Sequence, residues 1–354
     1  MCPEIKKRYF AAANTGKGFK SYFEELFFSP KISRRYIIKG GPGTGKSSFM
    51  KRIALFAQAK GYDVEYYYCS SDTRSLDGII LNGSIAIFDG TSPHSYDTVL
   101  PGACDEIINL GSFWSRELLT ERKQDISELD RIKKQAYSSA YGFLASAGTL
   151  SDIADTLTEN VILREKLLTV ALKTYERLGA LKNTGTQSVR QVSAFGIHGR
   201  ERLDTLEKMA SKRYVICDYY GIGTKLLREI FRMAVSDKAR CYVSYDVVGT
   251  DQVRELYFPD VSVWIGISET DCVEYSGEYS VINMKRFVDA YALAEKRGRI
   301  RATQKAREAC CELAIECLKD AGDAHARLEE IYVSSMDFKR LSDFCTGFTE
   351  ALGL

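Results

Sequence analysis

Residues Gly40 to Ser47 read Gly-Gly-Pro-Gly-Thr-Gly-Lys-Ser. The spacing G-x-x-x-x-G-K-[ST] is one that wraps an anion in the chain's own backbone. A triphosphate carries dense negative charge, and backbone N–H groups hold it when the chain curls around it. Gly41, Gly43 and Gly45 give the freedom for that curl. A helix starting near Lys46 turns its N-terminal N–H groups and its dipole toward the same anion. The phosphate-binding set is therefore Gly40, Gly41, Pro42, Gly43, Thr44, Gly45, Lys46, Ser47 and Ser48. Lys46 would reach the β- and γ-phosphates, and the Ser47 hydroxyl would ligate Mg²⁺.

A metal carboxylate is expected at the end of a neighbouring strand. Asp89 closes the run Ser84-Ile85-Ala86-Ile87-Phe88 and fits that position. Gly90 follows, where many such sites carry a glutamate that polarises water, so fast hydrolysis is not expected. Other residues could serve the chemistry. Asp72, at the carboxyl edge of the second strand, is a candidate base or water-positioner. His94 is a candidate sensor of the γ-phosphate, Arg74 a candidate phosphate contact, and Asp77 and Glu106 are weaker alternatives.

The elements that must hold these residues are visible as apolar periodicity. Arg35 to Gly40 is a short apolar run ending at glycine and predicts a buried strand. Phe49, Ile53 and Phe56 recur at helical spacing, and Gly61 stops the helix. Val64 to Cys69 and Ser84 to Phe88 predict further strands of a parallel α/β sheet.

The pattern then returns about 178 residues later with the chemistry removed. Arg213-Tyr214-Val215-Ile216-Cys217-Asp218-Tyr219-Tyr220-Gly221-Ile222-Gly223-Thr224 aligns with Arg35 to Lys46, so Thr224 replaces Lys46 and Asp218 replaces Gly40. No aspartate ends Val263-Trp264-Ile265-Gly266-Ile267, and a one-residue slip to Lys225 would break the register set by Leu227 and Phe231. Cys241 to Val248 predicts another strand. Arg8 to Ala12 is echoed by Arg190 to Ala194, and Leu144 to Gly148 by Leu318 to Gly322. The expected fold class is α/β, with two duplicated parallel-sheet domains, each followed by a helical tail. The expected bounds are an active phosphate-binding domain over 1–115, a helical tail over 116–186, a degenerate copy over 187–283 and a C-terminal helical tail over 284–354, with Lys182 to Thr186 as linker.

Composition narrows the setting. The chain has 354 residues, a net charge of +2 and ten cysteines without a C-x-x-C pair. The small charge argues against nucleic acid or an anionic membrane as main partner. The basic stretch Lys296 to Arg301, with Lys305 and Arg307, reads as a solvated helix face. There is no apolar run long enough for a membrane span and no signal core, so a cytoplasmic protein with free thiols is expected. The runs Tyr66 to Tyr68 and Tyr219-Tyr220 read as core or pocket filling.

On Arg35 to Ser47, Cys69 to Asp72 with Ser75 to Gly78, Asp89 to His94 and Met336-Asp337-Phe338, the chain resembles the P-loop NTPase superfamily. More closely, it resembles a bacterial family of ATPase-like proteins with two tandem P-loop halves and no settled function. Members of that family usually keep both loops intact; this chain departs in its second half. The resemblance implies a nucleoside triphosphate ligand, ATP with Mg²⁺, and P-loop-type domains. Three functions are open on this reading. The first is a slow ATPase or nucleotide-gated switch, with Ser70 to Gly78 and Gly90 to Tyr96 as moving segments. The second is a small-molecule or nucleotide kinase with an acceptor yet to be found. The third is a scaffold that holds nucleotide without turnover. If the halves pack as a pseudo-dimer, Arg213, Lys225 and Arg228 are the residues of the second half expected to reach the first site.

Overall fold

The computed structural model describes residues 7–92, 95–179, 181–249, 251–268 and 278–353. The first half runs β1 (Lys7–Phe10), β2 (Ala12–Thr15), β3 (Gly18–Ser21), α1 (Phe23–Phe27), β4 (Arg34–Lys39), α2 (Lys46–Ala59), β5 (Val64–Tyr68), β6 (Leu76–Leu81), β7 (Ile85–Asp89) and β8 (Asp105–Asn109). Its tail comprises α3 (Arg116–Glu121), α4 (Lys123–Glu159) and α5 (Arg164–Glu176). The second half runs β9 (Gln187–Val189), β10 (Ser193–Gly196), β11 (Gly199–Arg202), α6 (Thr205–Lys208), β12 (Lys212–Cys217), α7 (Gly223–Ser236), β13 (Cys241–Tyr245), β14 (Val253–Phe258), β15 (Val263–Ile267) and β16 (Tyr279–Asn283). Its tail comprises α8 (Ala290–Val333) and α9 (Phe338–Ala351).

Two six-stranded sheets result, ordered β1-β5-β6-β7-β4-β8 and β16-β12-β15-β14-β13-β9. Read from opposite edges the orders match strand for strand. In each sheet one strand, β6 or β14, runs against the other five. A wholly parallel sheet was the sequence expectation. Leu76–Leu81 lies within what reads as a polar link, yet all six residues are buried. The turn Ser70 to Ser75 is too short for a crossover, so β6 must return antiparallel to β5. Phe56 is a second departure: it is 43% exposed, and α2 buries Phe49, Met50, Ile53, Ala54 and Ala57 instead. Lys182 to Thr186 is tied to the second half, through Asn183 N–H to Asp237 O and Gly185 N–H to Lys238 O.

The tails cross over. α4 and α8, of 37 and 44 residues, pair antiparallel. Leu129 meets Leu328 and Ile331, Leu144 meets Ala314 and Leu318, and Val161 meets Leu293 and Ile300. α5 then buries Leu167, Ala171 and Tyr175 against α7 and the second sheet. α9 buries Leu341 and Cys345 in the core of the first sheet. Each sheet is therefore capped by the other half's tail. Two short bridges lock the crossing, Trp114 to Met336 and Ile162 to Val288. The sheets also meet directly, where Phe10 pairs with Gln191 and Arg190 lies between Glu65 and the rings of Tyr9 and Tyr242. The halves pack as a pseudo-dimer. Among the described residues no helix is long and apolar enough to cross a membrane. Seven cysteines there carry free thiols, whereas Cys217 is disulfide-bonded, a departure from the thiols expected throughout.

Candidate functional site

β4 delivers the chain to Gly40, and α2 takes it up again at Lys46. Between them the backbone turns through left-handed conformations at Gly43 (φ 65°) and Gly45 (φ 85°), which glycine adopts without strain. Thr44 Oγ donates to Gly41 O at 2.9 Å and closes the turn. Lys46 Nζ folds back along the loop, donating to Gly40 O at 3.0 Å and Gly41 O at 2.8 Å. Its other neighbour is Asp89 Oδ2, at 3.5 Å.

The parallel register pairs Ile38 with Asp89, so the carboxylate stands beside the start of the loop. Asp89 Oδ1 accepts from Thr91 N–H at 2.8 Å and from Thr91 Oγ at 2.5 Å. Burial raises the Asp89 carboxyl above its usual range, and Lys46 and Thr91 oppose that only in part. Ser47 Oγ accepts from Leu76 N–H at 3.0 Å, which leaves a second lone pair. Ser48 is exposed on the first turn of α2. At Gly90, a Cβ would lie 2.3 Å from Ile37 Cγ2. The packing of β4 thus excludes any side chain after Asp89, including the absent glutamate.

Asp72 lies in the turn after β5. Arg74 grips it through Nε at 3.0 Å and Nη2 at 3.1 Å. Burial pushes the Asp72 carboxyl up, but these bonds outweigh it and hold the group below its usual value. Asp77 is buried in β6 and adds to the upward push on Asp89. Glu106 pairs with Arg34, at the opposite end of β4, and takes no part. His94 lies outside the described residues. Lys39 Nζ donates to Gly90 O at 2.8 Å and to Tyr96 O, pinning the ends of that segment.

The far end of α8 rests on the loop. A Cβ on Gly41 would lie 2.7 Å from the Tyr332 ring, and one on Gly43 2.8 Å from Glu329 O. Both glycines are thus required by the tail as well as by the turn. The Glu329 carboxyl is held below its usual range by His325, with the Gly43 N–H contributing. A further visitor comes from the second half. The β10–β11 hairpin sets His198 Nε2 3.6 Å from Asp72 Oδ1. Arg213, Lys225 and Arg228 do not reach this site. Arg213 bonds Glu207 O, Lys225 bonds Glu159 and Asp155 O of the first tail, and Arg228 faces Glu229. His198, His325, Glu329 and Tyr332 escaped the sequence reading because crossing tails leave no local signal. The scarcity of histidine, three in 354 residues, is the one sequence signal that could have singled out His198 and His325.

The second loop, between β12 and α7, is closed from within. Asp218 Oδ1 accepts from Tyr220, Gly221 and Ile222 N–H at 3.0–3.1 Å, and Oδ2 accepts from Gly223 N–H at 2.7 Å. A carboxylate of the chain occupies the ring of amides that an anion would need. Ile267 stands where Asp89 stands, since Ile216 pairs with Ile267 as Ile38 pairs with Asp89.

What the first arrangement can do follows from its charges: a helix N-terminus, one ammonium, one largely buried carboxylate and one hydroxyl suit a polyanion with a divalent cation. Comparison with protein-family models, curated proteins and solved structures finds no match, so a functional reading rests on this geometry.

Proposed function

We propose that the chain is a Mg²⁺·ATP-binding protein of P-loop type, a slow ATPase or nucleotide-gated switch with one working site in its N-terminal half. One observation carries this reading. Lys46 Nζ is held by the loop carbonyls of Gly40 and Gly41 beside Asp89, at the start of a helix entered through two left-handed glycines. Those carbonyl bonds are weak substitutes for a phosphate, and the ammonium can exchange them for the β- and γ-oxygens.

The residues present fit Mg²⁺. Asp89 Oδ2 and the free lone pair of Ser47 Oγ are hard oxygen donors on the two elements that flank the loop, and Mg²⁺ bound there would neutralise phosphate charge. The loop's N–H groups orient the phosphates, Lys46 offsets their charge, and the overlying α8 and Tyr332 limit access of water. The lack of a side chain at Gly90 supports slow turnover.

The test is fluorescent-ATP binding and phosphate release by the full chain and by Lys46→Ala. The variant should bind ATP about 10- to 100-fold more weakly, the loss of one charge-assisted contact. Equal affinity in the two proteins would refute the reading.

A further inference from the structure

We propose that His198, carried by the second half, accepts the proton of the attacking water at the first half's loop, oriented by Asp72. This rests on the nucleotide reading above and adds the missing base to it.

The hairpin tip is built to be there. Ile197 N–H donates to Ser71 O at 2.9 Å, and a Cβ on Gly196 would lie 2.7 Å from that same oxygen, so only glycine permits the approach. Asn14 Nδ2 holds Phe195 O at 2.8 Å, and Tyr141 OH holds Asn14 Oδ1 at 2.9 Å. Tyr137 OH lies 2.9 Å from Ser71 Oγ. This network fixes the backbone while the His198 side chain stays 45% exposed, open to water.

The acid beneath it is linked to the loop. Ser75 N–H donates to Asp72 O at 2.9 Å, and Leu76 N–H donates to Ser47 Oγ, so one turn joins Asp72 to the first turn of α2. Lys51 Nζ, also on α2, bonds Arg74 O at 2.5 Å. With Nε2 turned to Asp72, Nδ1 is the nitrogen left to take a proton, the arrangement of a base oriented by a carboxylate. The place after Asp89 cannot supply a base, because Ile37 fills it.

The pseudo-symmetric contact sharpens the point. At the β13–β14 turn, the counterpart of the β5–β6 turn that carries Asp72, the first half's hairpin brings Lys17 to Asp251. An ammonium paired with a carboxylate accepts no proton. The turn of the closed half thus receives a lysine and the turn of the open half a histidine. Among the described residues no group of three or more His, Cys, Asp or Glu could hold a metal, so the cluster is not a metal cage.

The step balances without another reactant. The water oxygen bonds to the γ-phosphorus as the bond from that phosphorus to the β,γ-bridging oxygen breaks, and ADP leaves with the electron pair. One water proton passes to His198 Nδ1 and then to solvent.

The experiment measures ATP affinity and turnover in the full chain for wild type, His198→Ala, His198→Gln and Asp72→Asn. In both His198 variants kcat should fall about 100-fold or more, with Kd for ATP within about twofold. Added imidazole should restore part of the His198→Ala loss, which a merely structural role would not allow. Asp72→Asn should lose less. A wild-type chain that binds no ATP overturns the nucleotide reading itself. ATP binding without turnover, turnover indifferent to His198→Ala, or a loss that imidazole does not relieve, overturns this proposal alone.

Discussion

At the residue scale the contrast between Gly40 and Asp218 decides the difference between the loops. A glycine there puts no carboxylate of the loop itself among its amides, and the Gly43 N–H faces the Glu329 carboxyl of α8 instead. An aspartate fills them with its own carboxylate, through four backbone hydrogen bonds. Removing it leaves those donors unpaired, a cost of about 1–3 kcal/mol. Asp218→Ala should therefore melt a few degrees lower, and added sulfate should recover part of the loss; an unchanged melting curve would contradict this. Asp89 behaves oppositely. Burial lifts its carboxyl above the usual aspartate range. The folded state thus binds the proton more tightly than the unfolded one, so this group's contribution to stability falls as pH rises through that range. Asp89→Asn should remove that slope and leave the free protein at least as stable at neutral pH. It should also weaken Mg²⁺-dependent ATP binding, by about 10- to 100-fold. Thermal melts across pH, with and without Mg²⁺·ATP, check both halves of the prediction.

At the scale of elements, what can be read from sequence depends on where the partner lies. β4, the glycine loop and α2 are legible because their partners are near in sequence and their periods are clear. β6 was hidden because it sits within what reads as a polar link; its burial is set by β5 and β7 on either side. The roles of α8 and α9 were hidden for a different reason, since both act far back in the chain, Tyr332 on Gly41 and Phe344 on Phe49. α9 stacks Phe344 on Phe49, tilts Phe348 against the same ring and buries Leu341 beside the loop. Deleting residues 337–354 should thus destabilise the first half by several kcal/mol, the burial of a few large apolar side chains at about 1.5–3 kcal/mol each. Hydrogen exchange should show α2 and β4 losing protection while α7 keeps it. Uniform protection in the shortened chain would count against the crossed packing.

At the scale of the molecule the duplication produces a crossed pair rather than two beads. Each sheet relies on the other half's tail, and each strand-end turn receives the other half's hairpin, His198 at Asp72 and Lys17 at Asp251. Residues 1–186 alone would lack α8 and α9 over the loop and leave α5 without a bed, so that fragment should be unfolded or aggregated by circular dichroism and light scattering. The internal repeat and the loss of chemistry in its second copy were legible from aligned residues such as Lys46 and Thr224. The exchange of tails was not, because nothing local in α5 or α9 specifies which sheet their apolar faces cover. The most direct measurement of the central claim is calorimetric titration of the full chain with ATP and Mg²⁺. One nucleotide per chain, lost in Lys46→Ala and kept in Thr224→Ala, is the predicted result. Two per chain, or none, would contradict it.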